Sequence, residues 1–242
     1  MRITVLVPAA GAGIRMGKGV RKQFLLLQGL PILAHTLARF EALPDVAEII
    51  PIVPEEEMAH CLEKCVEARG IRKVKRVVPG GPHRQDSVYN GLKAVDPATD
   101  YVMVHDGVRP LITEDLVQAL MGSVAGMDGA VLAVPAKDTL KEVGDDLTVT
   151  KTLDRRRCYL VQTPQVFGYR VLRNAFEKAY VDGYYGTDDA SLVERCGGRI
   201  RVAMGSYVNI KITTPEDMIL AEALLRKEAM ERAARDGGAR PG

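Results

Sequence analysis

Short apolar runs alternate with amphipathic stretches along most of the 242-residue chain. Six runs are predicted to be β-strands, at residues 2–7, 48–53, 73–78, 100–105, 129–134 and 199–204. Apolar residues recur near positions i, i+3, i+4 and i+7 in the stretches between and after them, which predicts helices at 31–43, 54–68, 84–95, 113–126 and 214–234. Strands that alternate with helices are typical of an α/β fold with a mostly parallel sheet.

One segment, residues 137–157, departs from this alternation. It reads as two polar, β-prone strands around a Gly-Asp-Asp sequence at 144–146, which is a hairpin signal. Its apolar content is too low to build a core. The segment is therefore predicted to be either a solvated flap or an arm that covers a neighbouring subunit, and the spacing alone leaves both open.

Composition excludes several classes of protein. The 33 Lys and Arg residues balance 31 Asp and Glu residues to a net charge of +2, which argues against a nucleic-acid binder. We find no signal-peptide pattern and no apolar run near the roughly 18 residues that span a bilayer, so we expect a soluble cytoplasmic protein without a membrane partner. No linker divides the chain, which predicts a single domain over residues 1–230 and a frayed tail over 231–242.

A glycine-rich basic loop follows the first predicted strand. It combines several glycines, among them Gly11, Gly13 and Gly17, with the four cations Arg15, Lys18, Arg21 and Lys22. Glycines permit close backbone approach and cations attract phosphate, so the loop indicates a polyphosphate cradle; the alternative is a basic surface turn. The loop fits neither the dinucleotide fingerprint, because its third glycine comes one residue late, nor the P-loop pattern.

Two further clusters lie where strands of an α/β sheet are predicted to end. Asp106 follows one strand and is either a magnesium ligand or a turn-capping residue. Gly81, Arg84 and Ser87 belong to a loop and the first turn of the next helix, which indicates either nucleotide binding or an ordinary helix cap.

Seven short motifs resemble those of a known family in both their amino-acid sequences and their order along the chain. They are PAAGAGIRM followed by KQF, then GGPHRQDSV, VHDGVRP, KDTLK, TPQVF and NIKITTPEDM. In this order they closely resemble the 2-C-methyl-D-erythritol 4-phosphate cytidylyltransferases over residues 3 to about 225. The resemblance implies a Rossmann-like, glycosyltransferase-A-type nucleotidyltransferase domain, with a mostly parallel mixed sheet and a protruding β-arm at 137–157 that forms a homodimer. It implies transfer of a cytidylyl group from CTP to 2-C-methyl-D-erythritol 4-phosphate, with release of pyrophosphate and with Mg²⁺ as the divalent cation.

The resemblance also implies roles for individual residues. The nucleotide is expected at Pro8, Ala9, Ala10, Gly11, Gly13, Gly81, Ser87 and Asp106, with Asp106 as the metal ligand. The methylerythritol phosphate is expected at Asp106, Arg109, Thr139, Arg155, Thr163 and Lys211, with Arg155 coming from the partner subunit. Catalytic roles fall to Arg15, Lys22, Arg155 and Lys211.

A few positions depart from the family pattern. Pro82 replaces a frequent acidic residue, Gly107 and Val108 replace an Ala-Ala pair, and Val208 precedes the NIK sequence where some relatives have Asp. One alternative is a ribitol-5-phosphate cytidylyltransferase, although Ala9 and Ala10 stand where those enzymes tend to have two glycines. Another is a catalytically dead nucleotide-binding regulator, against which Arg15, Lys22 and Asp106 argue.

Overall fold

The computed structural model describes residues 1–11 and 20–237, with the side chains of 235–237 left out. The described residues form eleven strands and seven α-helices. In chain order these are β1 (Ile3–Pro8), β2 (Leu26–Leu27), β3 (Leu30–Pro31), α1 (Ile32–Glu41), β4 (Val46–Val53), α2 (Met58–Cys61), β5 (Val78–Pro79), α3 (Arg84–Lys93), β6 (Tyr101–Val104), α4 (Glu114–Ser123), β7 (Gly129–Pro135), β8 (Lys141–Val143), β9 (Val149–Thr152), β10 (Tyr159–Gly168), α5 (Tyr169–Val181), α6 (Asp189–Arg195), β11 (Ile200–Met204) and α7 (Pro215–Gly237).

Seven strands form the central sheet in the order β11-β7-β10-β6-β1-β4-β5. The paired strands run parallel except at β10, which is antiparallel to both of its neighbours, β6 and β7. The prediction of an α/β fold with a mostly parallel mixed sheet is therefore confirmed.

The central strands are apolar on both faces because helices cover both sides of the sheet. Along β1, Ile3, Val5 and Val7 belong to a core cluster that includes side chains of α1 and α4. Leu6, on the opposite face, belongs to a second cluster with side chains of α3, α5 and α6. This two-sided burial explains why the strand reads as a continuous apolar run, since alternation is expected only where one face meets water.

The polar segment folds as a hairpin outside the central sheet. Strands β8 and β9 pair only with each other among the described strands, and all of their residues are exposed. The hairpin turn is closed by the backbone of Gly144, whose amide donates to the carbonyl of Thr148 at 2.9 Å. The excursion begins after β7 and returns into β10.

Several predicted elements differ from the observed ones. The strand predicted at 73–78 is reduced to β5 and an isolated bridge at Val74, and the helix predicted at 54–68 is a chain of 3-10, α- and π-helical turns. Strand β10 and helices α5 and α6 lie in residues for which the sequence analysis predicted no element.

The last helix also runs further than expected. Thr214 caps its start, accepting a hydrogen bond from the Asp217 amide at 3.3 Å, and the helix continues to Gly237. Residues 231–234, which the sequence assigned both to the predicted helix and to the predicted tail, are helical, since Ala, Glu and Arg favour helix strongly, and residues 235–237 of the predicted tail continue the helix. The rest of the predicted tail, 238–242, lies outside the described residues. Within residues 1–11 and 20–237, no helix has the length and apolar character that a membrane crossing requires.

Candidate active site

A cavity of about 270 Å³ opens beside the carboxyl ends of β1 and β6. In open α/β sheets ligands bind at this edge, outside the carboxyl ends of the strands. The walls come from segments that lie far apart in sequence, and the lining residues are Pro8, Ala9, Ala10, Gly11, Lys22, Gln23, Gly81, Pro82, His83, Arg84, Ser87, Asp106, Val108 and Lys211.

One wall is formed where the end of β1 meets the loop before α3. The amide of Gly80 donates to the carbonyl of Val53 at 2.8 Å, which fixes this loop to β4. A Cβ atom at Gly80 would lie 2.2 Å from the Cβ atom of Ala10. Glycine is therefore required at this position, because only a residue without a side chain lets the two segments approach so closely.

The first turn of α3 presents backbone and hydroxyl groups to the same wall. The hydroxyl of Ser87 accepts a hydrogen bond from the amide of Gly81 at 3.0 Å and donates to the carbonyl of His83 at 3.1 Å. Asp86 accepts from the amide of His83 at 3.0 Å and from the hydroxyl of Tyr180 at 2.5 Å. These bonds hold the loop in one conformation, so the cavity wall is preformed.

Asp106 lies at the centre of the charged side of the cavity. Its Oδ2 atom is 2.8 Å from Nζ of Lys211 and 3.7 Å from Nε of Arg109, and its Oδ1 atom is 3.5 Å from Nε of Arg84. Burial opposes ionisation, but the three cations outweigh it and hold the pKa of Asp106 well below its ordinary value. Asp106 is therefore a carboxylate at neutral pH.

A hydrogen-bond network fixes the backbone around Asp106. The Asp106 amide donates to the hydroxyl of Thr163 at 3.0 Å, and the side-chain amide of Asn209 donates to the carbonyl of Thr163 at 2.9 Å. Arg109 donates to the carbonyl of Asn209 at 2.8 Å. Beneath them, burial lowers the pKa of His105 to about 4, so this imidazole is neutral at physiological pH.

Lys22 enters the cavity from a short 3-10 helix, Lys22–Phe24. Arg21, just before it, contacts Glu56 at 2.5 Å, and the buried ring of Phe24 anchors its other end. Gln23 is 1% exposed, and its Nε2 atom has no hydrogen-bond partner among the residues that the structure describes. An unsatisfied buried amide is costly, so this group requires a partner outside the described residues, such as a ligand atom.

The cavity brings together most of the residues expected for the nucleotide and the catalytic cations. Nine of these line it, namely Pro8, Ala9, Ala10, Gly11, Lys22, Gly81, Ser87, Asp106 and Lys211. Arg109 and Thr163 contact Asp106 from behind the lining. Thr139 and Arg155 are exposed near the root of the hairpin and do not line the cavity, whereas Gly13 and Arg15 lie outside the described residues.

Two side chains at the site were missed by the sequence analysis, and a third was noticed without being assigned a role. Gln23 and Asp189 were missed, and Arg84 was noted only as a residue in a helix's first turn. A weak signal existed for Asp189, since the Thr-Asp-Asp sequence at 187–189 is typical of a helix start. Its pairing with Arg84 has no local signal, because the two residues are separated by 105 positions.

The chemistry of the donors restricts the kind of metal that fits. Within the described ranges no group of three or more His, Cys, Asp or Glu side chains could hold an ion, so a protein cage is lacking there. Among the described residues that line the cavity, Asp106 alone offers a hard carboxylate. This suits Mg²⁺, which binds one or two carboxylates together with substrate phosphates and water.

Comparison with known proteins gives a consistent result. The sequence model of one family, described as "IspD: 2-C-methyl-D-erythritol 4-phosphate cytidylyltransferase", matches residues 3–227. A protein of that name from Geotalea uraniireducens (strain Rf4) is 53% identical over 96% of this chain and 100% of its own length. Another from Geobacter metallireducens is 48% identical over 94% of this chain and 99% of its own.

Solved structures agree with these matches. The crystal structure of a 4-diphosphocytidyl-2C-methyl-D-erythritol synthase from Anaerococcus prevotii DSM 20548 superposes with a TM-score of 0.80 at 32% identity, covering 93% of this chain and 96% of that one. The 2-C-methyl-D-erythritol 4-phosphate cytidylyltransferase of Francisella tularensis gives a TM-score of 0.79 at 32% identity, with coverage of 93% and 100%.

Proposed function

Because the chain belongs to the 2-C-methyl-D-erythritol 4-phosphate cytidylyltransferase family, we propose that the cavity around Asp106 is where CTP and 2-C-methyl-D-erythritol 4-phosphate react. The chain is a nucleotidyltransferase of isoprenoid precursor biosynthesis. One observation carries the assignment of the site. An ionised, buried carboxylate and three surrounding cations lie at the sheet edge, beside a preformed wall of glycine backbone and Ser87.

The reaction joins two anions. A phosphate oxygen of the methylerythritol substrate attacks the α-phosphorus of CTP, a new P–O bond forms, and the bond to the β-phosphate oxygen breaks to release pyrophosphate. A phosphate monoester is already a competent nucleophile near neutral pH, so the enzyme must position the reactants and stabilise the developing charge. Lys22 and Lys211 supply the stabilising positive charge in the described cavity, and we assign the same role to Arg15.

The cytidine is assigned to the wall built from Pro8–Gly11, Gly81 and Ser87, with Gly13 added from the glycine-rich loop. This wall offers fixed amides and a hydroxyl rather than mobile charged side chains, which suits a base edge and a ribose. The buried carboxamide of Gln23 adds a donor without a protein partner in the described part of the chain.

The methylerythritol phosphate is assigned to the opposite side, where Lys211, Arg109 and Thr163 surround Asp106. Thr139 and Arg155 complete this side from the hairpin. Arg155 is exposed and donates from Nη1 to the carbonyl of Lys137 at 2.8 Å, which holds one edge of the guanidinium and orients its other donors. A guanidinium fork binds phosphate by two parallel hydrogen bonds.

Asp106 is the residue that would hold magnesium. When bound, the ion would neutralise charge on the phosphates of CTP, which is the usual contribution of Mg²⁺ in phosphoryl and nucleotidyl transfer. The low pKa of Asp106 supports this role, because the ligand must be ionised at the working pH. Lys211, whose Nζ atom lies 2.8 Å from Asp106 Oδ2, balances the charge of this carboxylate.

A homodimer through the hairpin is part of the proposal, with residues 137–157 as the arm and 1–230 as one nucleotidyltransferase domain. Its support is exposed apolar surface on the hairpin and on the adjoining strands, at Val143, Leu147, Val149, Tyr159, Leu160, Val161, Val202 and Met204. Exposed apolar groups of this extent are typical of an association surface. We also propose a cytoplasmic location, where all four cysteines would remain free as they are in the structure.

Pyrophosphate release from CTP tests the function. With 2-C-methyl-D-erythritol 4-phosphate as acceptor we expect magnesium-dependent turnover, and with D-ribitol 5-phosphate we expect little. The Asp106→Asn variant serves as the control for the site, since it keeps the shape of the side chain and removes its charge. Turnover with ribitol phosphate alone, or none with either acceptor, would contradict the assignment of the substrate.

A further inference from the structure

Arg84, which lines the cavity and is one-third exposed, forms an ion pair with the buried Asp189. Arg84 is the first residue of α3 and Asp189 is the first residue of α6. The guanidinium meets the carboxylate with two parallel hydrogen bonds, Nη1 to Oδ1 at 3.1 Å and Nη2 to Oδ2 at 2.8 Å. Asp189 is 1% exposed, so its charge is compensated by this arginine rather than by water.

Both members of the pair are charged. Burial opposes the charge on Arg84, but the carboxylates of Asp189 and Asp106 outweigh it and raise the pKa of Arg84. Burial also pushes the pKa of Asp189 upward. The two-pronged geometry, in which each oxygen accepts a guanidinium hydrogen, identifies Asp189 as the ionised form.

Arg84 is shared unequally between two carboxylates. Its two terminal nitrogens both donate hydrogen bonds to Asp189, whereas only Nε lies near Asp106, at the longer distance of 3.5 Å. A guanidinium has five N–H donors and binds carboxylates best in a two-pronged arrangement. If Asp189 lost its charge, Asp106 would be the nearest carboxylate left for Arg84 to bind in that manner.

Asp189 is held in place by contacts that continue to the active-site strand. Asp188 caps α6 by accepting from the amide of Ser191 at 2.9 Å. Gln165, on β10, donates to the Asp188 carboxylate at 2.7 Å and accepts from the amide of Ala190 at 3.1 Å. The start of α6 is therefore fixed on the strand that also carries Thr163, the partner of the Asp106 amide.

We propose that Asp189 is a positioning residue of the nucleotidyl-transfer site. By taking the two-pronged contact of Arg84, Asp189 keeps that guanidinium from closing on Asp106 and so leaves an Asp106 oxygen available to the nucleotide-bound magnesium. The inference rests on the proposed role of Asp106 as the magnesium ligand. A purely structural pair would join α3 to α6 without affecting the magnesium requirement.

The Asp189→Asn variant tests the proposal, because it removes one charge with little change of shape. We expect the Mg²⁺ concentration for half-maximal turnover to rise about tenfold, the lower range of the effect of one charged hydrogen bond. Calorimetric titration with CTP alone, without the second substrate, should show the same loss only when Mg²⁺ is present. Asp182→Asn is the matched control, since Asp182 pairs with Arg195, the last residue of α6, and its substitution should leave both readouts unchanged.

A second variant tests the proposal in case Asp189→Asn does not fold. In Arg84→Met/Asp189→Leu the ion pair is replaced by apolar side chains, an exchange that proteins often tolerate well. Asp106 then loses one competing cation, so the magnesium midpoint should fall below that of the unmodified enzyme. A midpoint that stays equal or rises, in a folded double variant, overturns the proposal.

Two further outcomes separate the explanations. An equal loss of CTP affinity with and without Mg²⁺ in Asp189→Asn would make Arg84 a direct phosphate ligand and overturn the positioning role. The Asp106→Asn variant checks the premise: an unchanged magnesium requirement in that variant refutes the metal role of Asp106 itself. If Asp106→Asn changes the requirement and a folded Asp189→Asn does not, only the inference about Asp189 fails.

Discussion

Mixing two impaired variants should restore activity if Arg155 works in the active site of the partner subunit. One parent carries Lys22→Ala, which damages the cavity and leaves the hairpin intact. The other carries Arg155→Ala, which damages the hairpin and leaves the cavity intact. In a mixed dimer with exchanged arms, one site combines the intact cavity with the intact hairpin, and the other site carries both defects.

The size of each defect follows from the contacts involved. Loss of a positioned charge-stabilising donor such as Lys22 costs on the order of 10²–10³ in rate. Loss of a guanidinium–phosphate contact at Arg155 removes about 1.5–3 kcal/mol, or roughly 10- to 150-fold. Unexchanged parents mixed in equal amounts should thus retain at most about 5% of the unmodified activity, since the better parent keeps roughly a tenth and makes up half the sites.

The expected recovery is larger than this background. After random exchange half of the dimers are mixed, and half of the sites in those dimers are intact, so about one quarter of the unmodified activity should return. The assay is steady-state pyrophosphate release before and after exchange, with the fraction of mixed dimers measured independently by two affinity tags. A rise to about a quarter, in proportion to the mixed fraction, is the expected result.

The neighbouring arginine provides the control. The side chain of Arg156 is 86% exposed and pairs with Asp154 at 2.9 Å, so Arg156→Ala should keep nearly full activity. That result would show that the loss in Arg155→Ala does not come simply from removing a positive charge from the hairpin. No recovery in the Lys22 and Arg155 mixture, despite measured exchange, would place Arg155 in its own subunit's site or outside catalysis.

Three other predictions follow from single contacts. Lys22→Ala should lower kcat by about 10²–10³ while weakening CTP binding much less, and equal losses would assign Lys22 to ground-state binding. The hydrogen bonds from Arg39 lower the pKa of Glu228 below its ordinary value, so they stabilise the fold above that value and the benefit is lost as pH falls. In denaturant titrations, Glu228→Gln should therefore reduce the free energy of unfolding by about 0.5–1 kcal/mol at neutral pH and by progressively less as the pH is lowered below the ordinary glutamate pKa. Gly129→Ala should cost about 1–3 kcal/mol because its Cβ would lie 2.3 Å from a buried phenylalanine ring, whereas Gly122→Ala, with nothing within 4 Å and a helical position, should be neutral or stabilising.

The central strands and most helices were predictable because their patterns are local. The run at β1 is apolar on both faces, and α1 and α4 show apolar residues at helical spacing, so the sequence within each element determines its type. Asp106 was predictable for the same reason, since its position directly after a strand follows from the strand itself. These features need no knowledge of distant residues.

Strand β10 was missed because its sequence carries signals against a strand. Pro164 lacks an amide hydrogen, and the glutamines Gln162 and Gln165 interrupt the apolar run, so the stretch does not read as a buried central strand. In the fold these side chains are satisfied from elsewhere: Gln162 donates to the carbonyl of Ser206 at 2.8 Å, and Gln165 binds the start of α6. Polar residues in a strand interior become interpretable only once their distant partners are known.

The missed strand is also what connects the hairpin to the active site. Because β10 is antiparallel to both β6 and β7, those two strands run in the same direction, and their carboxyl ends lie at one edge of the sheet. The hairpin leaves the sheet after Pro135 at the end of β7 and returns at Tyr159, which pairs with Pro135, so it departs and re-enters at the edge that carries Asp106. A polar hairpin inserted at the opposite edge of the sheet would lie away from the cavity around Asp106. The reversed strand thus supplies a topological reason for the proposed role of the hairpin in catalysis, which its amino-acid composition alone did not provide.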